Sequence, residues 1–389
     1  MIECIDLGDQ YVSDFVGADE ITSGYKSRLK FGYGPTSRLL QLFGSVPPED
    51  LYRRYWYRSG INEAMRNELK SIVDSARTFV RLKPGDTVLD IASNDGTLLA
   101  AYPEDLNRVG IDPSNVARES EFYEASSVSL VNDFFSAEAF RTVSAAQAKI
   151  ITVIAMFYDL NEPLAFLEDV RKVIAEDGVF VLQLAYTPLS LDQNEFGNFA
   201  HEHVCYYTLG VLADLLEKSD FEIFDTQLND ANGGSIRVYA APKGAVRKLA
   251  CPLNMLSIGE TRTFSLLEYE KVKEVDSRET YDRFVKRIDR LKNQTISWLQ
   301  KQSADGKRVI GYGASTKGNV LLQYYGITPD LLPYIAERSE EKVGLYTIGT
   351  GIPIISEDEM RKRKPDYLFA LPWFFINSFL DREKELLAG

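Results

Sequence analysis

The feature that most constrains the fold is an alternation of apolar strands and helix-like segments in the middle of the chain. Four apolar runs have the length and composition of buried strands: TVLDIA, NRVGID (107–112), KIITVIAM (149–156) and GVFVLQLAY (178–186). The helix-like segment EPLAFLEDVRKVIAEDG separates the last two. Strands that alternate with helices favour a mainly parallel sheet with helices on both faces, and ligands of such sheets bind beyond the carboxyl ends of the strands. We therefore expect the functional residues at those ends.

The length of 389 residues leaves room for two or three domains. We predict an N-terminal domain over 1–78, a central domain over 79–245, a linker with a long helix over 246–304 and a C-terminal α/β domain over 305–389. The long helix is predicted over 277–302, where apolar residues recur at helical spacing. The last domain starts with KRVIGYGASTKGN, which has the pattern of a strand, a glycine-rich turn and a helix.

Composition argues against two classes of partner. Acidic residues outnumber basic residues, 57 to 44, and the formal charge of −13 is unsuited to broad contact with nucleic acid. No stretch approaches the ~20 apolar residues of a membrane helix. The start, MIECIDLGDQYVSDF, also lacks a positively charged segment followed by an apolar run. We expect a cytoplasmic protein with no nucleic-acid or membrane partner, and a monomer or weak oligomer.

The first predicted strand ends in DIASNDGTLL (90–99), a turn of small residues before a helix. Such a turn lets the backbone approach a bound cofactor, and an acidic residue about 20 positions later can accept the hydroxyl protons of a ribose. Asp112 has that position at the end of GID. The D-x-A-x-N-x-G spacing differs from G-x-G-x-x-G and indicates S-adenosylmethionine rather than a dinucleotide. The predicted contacts are Asp90, Ala92, Ser93, Asn94, Gly96 and Asp112.

The only two histidines of the chain, His201 and His203, flank Glu202 in NFAHEHVCYYTL (198–209). Histidine has an unperturbed pKa near neutrality, so the pair is a candidate for proton transfer. In an extended segment the two rings would share one face and Glu202 would point the other way. In a tight turn all three side chains would converge. The pattern does not decide between these arrangements.

GYGASTKGN is a candidate anion site near its helix start. Ser315 and Thr316 can cap the helix, and Lys317 adds a positive charge that suits the diphosphate of a substrate. Arg237 and Arg338 are further anion-site candidates at strand-linked positions. The alternative is a strand-to-helix turn that only packs.

Six blocks together resemble the nucleotide-sugar C-methyltransferases, which methylate a carbon beside the keto group of a deoxysugar carried on a nucleoside diphosphate. They are YWYRSGIN (55–62), DIASNDGTLL, IAMFYDLNEP (154–163), HEHVCYY (201–207), NGGSIRVY (232–239) and GYGASTKGN (311–319). The resemblance spans nearly the whole chain. It implies an α/β protein with a class I methyltransferase core, that is, a Rossmann-like and mainly parallel sheet. A small N-terminal domain and a C-terminal Rossmann-like α/β domain that helps to hold the nucleotide sugar would flank this core.

The resemblance also implies a function and roles for individual residues. The cofactor would be S-adenosylmethionine and the substrate a nucleoside-diphosphate sugar. His203, oriented by Glu202, would remove the proton of the carbon to be methylated. The enolate oxygen that this chemistry produces needs a donor, which could be Tyr206, Tyr207, Asn232 or a water. The catalytic site would also include His201. The cofactor site would also include Tyr57, Asp133 and Ala155, and the substrate site Tyr55 and Asn232.

Three departures from the family pattern affect these expectations. Relatives carry two cysteine pairs near the N-terminus, whereas this chain has only Cys4 there, and Cys205 and Cys251 lie far away. We therefore expect no zinc. Ala92 replaces a glycine of the cofactor turn, and its methyl group is tolerable if φ is negative. Ala200 and Met156 stand where some members have a tyrosine and a histidine.

Two other functions compete with methyl transfer. An NAD(P)-dependent oxidoreductase would place its cofactor on the C-terminal GYGAS turn, with Glu337 of IAER as the acidic ribose partner. A non-catalytic relative of the family would explain the lost cysteines and Ala200.

Overall fold

A computed structural model of the chain describes residues 1–44, 46–47, 51, 56–275 and 277–388. The chain divides into two compact units. The terminal unit comprises Met1–Ser45, Thr187–Val204 and Asp276–Gly389, and the central unit comprises Val46–Tyr186 and Cys205–Val275.

The strands of the described residues are β1 (Ile2–Tyr11), β2 (Phe15–Val16), β3 (Lys26–Tyr33), β4 (Leu40–Leu42), β5 (Thr87–Ile91), β6 (Asn107–Ile111), β7 (Ser129–Val131), β8 (Ala148–Ile154), β9 (Ile174–Ala185), β10 (Cys205–Tyr206), β11 (Phe221–Asn229), β12 (Ser235–Pro242), β13 (Val309–Tyr312), β14 (Ile335–Glu337), β15 (Tyr346–Thr347), β16 (Ile354–Ser356) and β17 (Tyr367–Ala370).

The α-helices are α1 (Glu63–Phe79), α2 (Asn115–Arg118), α3 (Glu121–Ala125), α4 (Ala137–Arg141), α5 (Pro163–Val173), α6 (Thr187–Gln193), α7 (Leu209–Lys218), α8 (Leu253–Lys273), α9 (Arg278–Ala304), α10 (Thr316–Tyr325), α11 (Glu357–Arg363), α12 (Ile376–Arg382) and α13 (Lys384–Leu387). No helix in the part of the chain that the structure describes is long and apolar enough to cross a bilayer.

The central unit contains a seven-stranded sheet in the order β11-β12-β9-β8-β5-β6-β7. Strands β5 to β9 are parallel to one another, and β12 runs antiparallel to both β9 and β11. The strand order reverses at β5, which is where an open α/β sheet binds its ligand. This sheet confirms the predicted class I methyltransferase fold.

Helix α1 covers this sheet because its apolar residues form one stripe. Asn62 caps the helix by accepting from the amide of Ala64, and the stripe packs on strand residues such as Val88 and Val181. The buried positions of the stripe are Met65, Leu69, Ile72, Val73, Ala76 and Phe79. Their spacing of three and four residues is that of a helix with one buried face.

The terminal unit contains a second, fully parallel sheet in the order β16-β14-β13-β17, as predicted for a Rossmann-like C-terminal domain. The N-terminal strands β1, β3 and β4 pair antiparallel in the same unit. Strand β1 packs on α10, where the Gln323 side-chain oxygen accepts from the Tyr11 amide at 2.8 Å. The domain boundaries at 78, 245 and 304 stay a prediction.

Three elements differ from the sequence-based expectation. Residues 1–44 contain regular strands that were not predicted, because two register shifts in β1 interrupt the alternation that marks a strand. Helix α8 was not predicted, since it exposes apolar side chains such as Phe264 and Val272, 64% and 82% exposed, and so lacks a clean apolar stripe. The predicted helix at EPLAFLEDVRKVIAEDG ends at Val173, where β9 begins one residue later.

Candidate active site

The predicted cofactor turn follows β5 in a left-handed backbone conformation. Ala92, Asn94 and Gly96 have φ values of 58°, 49° and 83°. The condition that we set for Ala92, a negative φ, is therefore not met, and its methyl group costs roughly 1–2 kcal/mol of backbone strain. Glycine is required at position 96, because a Cβ atom there would lie 2.2 Å from the Phe122 ring.

Asp112 contacts this turn directly. One carboxylate oxygen accepts from the Asn94 amide at 2.8 Å, and the other accepts from the amide and hydroxyl of Ser114 at 2.8 and 2.5 Å. The structure thus brings together the cofactor turn and Asp112, which the sequence analysis paired by their spacing. It also shows a role that we did not predict, since the carboxylate holds the turn and the start of α2. A contact of Asp112 with ribose stays a prediction.

Asp90 is buried at the end of β5, 4% exposed, and accepts from the Thr152 hydroxyl at 2.6 Å. Burial raises the pKa of Asp90 to about 7; the Thr152 hydrogen bond opposes this shift, and the charge of Asp112 adds to it. Ser93 is also buried, and its hydroxyl oxygen accepts a hydrogen bond from the Tyr123 hydroxyl at 2.7 Å. The carboxyl group of Asp90 therefore changes charge near neutral pH.

The described part of the YWYRSGIN block also contacts the turn. The Asn94 side chain donates to the Tyr57 carbonyl and accepts from the Ser59 amide, both at 3.0 Å. Asp95, which our sequence reasoning missed, accepts from the Gly60 amide at 2.7 Å. Tyr55 lies outside the described residues, so its predicted role has no structural counterpart.

Asp133 and Ala155 follow β7 and β8, at the same edge of the sheet as Asp90 and Asp112. Asp133 is exposed, and Ala155 has a φ of 54°. Asn132 is a residue that we missed: its side-chain amide donates to the Asp112 carbonyl at 2.7 Å. The parallel strands thus bring all the predicted carboxylates of this site to one edge.

The other candidates of the central unit have mainly internal contacts. Tyr207 is fully buried, with its ring 5.2 Å from that of Phe157. Arg237 is bound by Glu68 and Gln183, each at 2.7 Å, and Asn232 occupies a tight turn before β12. Their roles toward a substrate stay predictions.

In the terminal unit the HEH block forms a turn, closed by the His203 amide donating to the Ala200 carbonyl at 3.2 Å. The two rings have different partners. His201 Nε2 lies 3.3 Å from the Ser27 carbonyl, and His203 Nδ1 lies 2.7 Å from the Asn198 carbonyl. His201, 3% exposed, is thus tied to strand β3.

The hydrogen bond of His203 determines its tautomer. A carbonyl oxygen only accepts, so Nδ1 carries the proton of the neutral ring and Nε2 carries the lone pair. Burial, and then the charge of Lys317, lower the pKa of His203 to about 3, which keeps the ring neutral at physiological pH. Burial and the charge of Asp14 raise the pKa of Glu202 to about 7. The predicted orienting role of Glu202 remains untested.

The GYGASTKGN block is a strand, a turn and a capped helix, as predicted. Ser315 Oγ accepts from the Gly318 amide at 3.0 Å and so caps α10. The Ala314 amide donates to Glu337 at 2.7 Å, so a carboxylate binds the turn that we assigned to a diphosphate. Arg338 is exposed after β14. The diphosphate assignment of Ser315, Thr316, Lys317 and Arg338 stays a prediction.

The HEH block and the GYGASTKGN block meet within the terminal unit. A Cβ atom on Gly197 would lie 3.1 Å from Lys317 Cβ, so the turn that supplies the partner of His203 packs against Lys317. Glu195 precedes this turn and accepts from the indole of Trp373. Sequence reasoning missed both residues, because they are 178 positions apart and no local pattern connects them.

Groups of three or more metal-ligating side chains are absent from the residues that the structure describes. The expectation that the N-terminal segment holds no zinc stays a prediction.

Two family models match adjacent parts of the chain. One, described as a methyltransferase domain, matches residues 61–226, and the other, a C-methyltransferase C-terminal domain, matches residues 230–389. The C-methyltransferase NovU of Streptomyces niveus is 28% identical over 353 residues, which cover 90% of this chain and 81% of that protein.

Solved structures are similar to about half of the chain. The magnesium protoporphyrin IX methyltransferase of Synechocystis PCC 6803, with bound SAH, is 13% identical and has a TM-score of 0.35, covering 48% of this chain and 90% of that chain. The PH0226 protein of Pyrococcus horikoshii OT3 is 16% identical and has a TM-score of 0.39, covering 51% of this chain and 100% of that chain. The fold assignment rests on the strand order, and the two adjacent family matches together with the curated relative support an S-adenosylmethionine-dependent C-methyltransferase family for this chain.

Proposed function

We propose that the protein methylates a carbon beside the keto group of a nucleoside-diphosphate-linked keto-deoxysugar, after a base has converted the ketone to its enolate. The observation that carries this proposal is His203, whose Nδ1 proton is held by the Asn198 carbonyl in a neutral ring. A carbon beside a ketone is not nucleophilic until a base removes its proton. A C-methyltransferase that acts on such a carbon needs a base of this kind.

The residues of the cofactor edge fit S-adenosylmethionine. Asp90, Asp112 and Asp133 bring three carboxyl groups to the strand ends, and the turn has the close backbone that a nucleoside requires. A cationic sulfonium is attracted by such an edge, whereas the phosphates of a dinucleotide are repelled. When bound, the sulfonium supplies a good leaving group, so no nucleophilic side chain is needed. Asp112 is the residue that we assign to the ribose hydroxyls.

Base chemistry is assigned to the HEH turn of the terminal unit. His203 Nε2 accepts the proton, and Glu202 favours the imidazolium that results. His201 has a different task, since its ring is bound to the Ser27 carbonyl and supports the turn. The nucleoside-diphosphate carrier of the sugar rests on the family resemblance of the chain.

Hydrogen exchange separates deprotonation from methyl transfer. The protein is held with a panel of nucleotide keto-sugars and S-adenosylhomocysteine in deuterated water, and exchange at the carbon beside the ketone is followed by NMR. With S-adenosylmethionine the same substrate should gain one methyl group, detected by mass spectrometry. A panel that shows neither exchange nor methylation would contradict the proposed substrate class.

Two histidine variants assign the base. His203→Asn should lose exchange and methylation together, by at least the ~100-fold that general-base removal costs. His201→Asn, the matched control on the same turn, should lose less. Thermal unfolding and binding of both ligands establish that the variants are folded. Methylation at a near-normal rate in His203→Asn would return the HEH block to a structural role.

A further inference from the structure

Lys317 is packed against the turn that holds His203. A Cβ atom on Gly197 would lie 3.1 Å from both the Cβ atom and the carbonyl oxygen of Lys317, and 3.0 Å from Glu195 Oε1. The next residue, Asn198, supplies the carbonyl that binds His203 Nδ1. The lysine stem, the glutamate and the histidine turn therefore form one packed cluster.

Aromatic side chains enclose the charges of this cluster. Glu195 is 5% exposed and accepts from the indole of Trp373, and Lys317 Nζ lies 4.8 Å from the centre of the Phe374 ring. Burial lowers the pKa of Lys317 to about 8, and the charge of Glu195 opposes this shift. Burial raises the pKa of Glu195, which Lys317 and Trp373 counteract. Glu195 is thus held away from water, and Lys317 is partly buried beside an aromatic ring.

The chemistry of the proposed reaction needs a cation here. The low pKa of His203 means that its neutral ring is a weak base, so the enolate must be stabilised by another group. Preorganised positive charge or hydrogen-bond donors beside the developing oxyanion are the usual source of this stabilisation. The carbonyl oxygen is two bonds away from the carbon that loses its proton, so the partner of this oxygen must lie close to the base.

We propose that Lys317 stabilises the enolate oxygen of the acceptor and that Glu195, held by Trp373, is the positioning residue for Lys317. The inference rests on the proposed function. In the step, the proton of the carbon beside the ketone moves to His203 Nε2. The electron pair of the broken C–H bond forms a carbon–carbon double bond, and the carbonyl π pair moves to the oxygen, where the Lys317 ammonium offsets its charge.

The competing role for Lys317 is the diphosphate of the same substrate. The structure favours the enolate because the turn before α10 already binds a carboxylate. Glu337 accepts from the Ala314 amide at 2.7 Å, and this negative charge repels a phosphate at the helix start. The contacts of Lys317 with Gly197 and Phe374 are instead those of the cluster around His203.

The first test separates kcat from KM. Lys317→Met should lower kcat and the hydrogen exchange together by roughly 100-fold or more, the cost of removing one oxyanion donor, with little change in KM for the sugar. Lys292→Met is the matched control, since Lys292 Nζ lies 4.5 Å from the Tyr324 ring near the other end of α10; it should keep both rates. A raised KM with unchanged kcat and exchange would overturn the inference in favour of the diphosphate.

The second test uses pH. The titratable groups that face Lys317 are Glu195 and the neutral His203, and Glu337 and Lys342 bind Ala314 nearby. Wild-type kcat should fall as pH rises through about 8, because the ammonium loses its proton. Glu195→Gln should move this alkaline limb to lower pH, since removing the negative charge lowers the pKa of Lys317 further.

Lys317→Arg completes the pH test. It should retain part of the activity and lack the alkaline limb, because a guanidinium stays charged. An alkaline limb at the same pH in Lys317→Arg and in the wild type would refute the inference. Failure of the proposed function has a different signature, since the wild type itself would then show neither exchange nor methylation.

Discussion

Replacing Asp90 by asparagine should remove the decrease in the free energy of unfolding that ionisation of Asp90 causes as pH rises. The carboxyl group is 4% exposed, and its pKa of about 7 in the folded protein compares with an ordinary value of 3.8. The folded protein therefore holds a proton between these values that the unfolded chain has lost. The free energy of unfolding falls as pH rises through this window and becomes level above the folded pKa.

The magnitude follows from the two pKa values. One pKa unit corresponds to about 1.4 kcal/mol, so the full shift represents roughly 4 kcal/mol. Between about pH 5 and about pH 8 the wild type should lose roughly 2.5 kcal/mol through Asp90 alone. Asparagine is neutral throughout and still accepts from the Thr152 hydroxyl, so the variant should lack this loss and be more stable at the upper pH.

Urea unfolding of both proteins across this pH range measures the effect. The difference in unfolding free energy between Asp90→Asn and the wild type should grow with pH. Asp105→Asn, at an exposed position that precedes β6, is the control and should follow the wild type. A difference that is the same at every pH would refute the reasoning, because it would show that the burial of Asp90 does not shift its ionisation.

Four further predictions concern the cofactor turn and the N-terminal segment. Asp112→Ala should weaken S-adenosylmethionine binding by roughly 10-fold to more than 100-fold in calorimetry, because a charge-assisted acceptor is lost; unchanged affinity would remove the ribose assignment. Ala92→Gly should stabilise the protein by up to about 1 kcal/mol in urea unfolding, since relief of left-handed strain exceeds the entropic cost of glycine. Gly96→Ala should instead lower both the melting temperature and cofactor affinity, because its Cβ atom would lie 2.2 Å from the Phe122 ring, and a variant with wild-type values would contradict this. Elemental analysis should find no stoichiometric zinc, since four soft or imidazole ligands are needed and the first 45 residues offer only Cys4; one zinc per chain would overturn that expectation.

The central sheet and its cofactor turn were accessible from sequence because both depend on local patterns. The run TVLDIA is apolar at four of its six positions without a polar-apolar alternation, as expected of a strand buried on both faces, and all five residues of β5 are buried. The turn DIASNDG has small residues where the backbone is left-handed, and Asp112 follows at a spacing set by the connection from β5 to its parallel neighbour β6. Helix α8 was not predicted because it exposes several apolar side chains and therefore has no periodic apolar stripe.

The arrangement around His203 depends instead on contacts between distant parts of the chain. Spacing left open whether the HEH block is extended or turned, and the hydrogen bonds to Ala200 and Asn198 settle it as a turn. No periodicity links Glu195 with Trp373 or brings Gly197 against Lys317, because such pairs meet only when separate segments pack. The charge states of His203 and Asp90 follow the same logic, since burial shifts their pKa values in opposite directions and burial is a property of the packed chain.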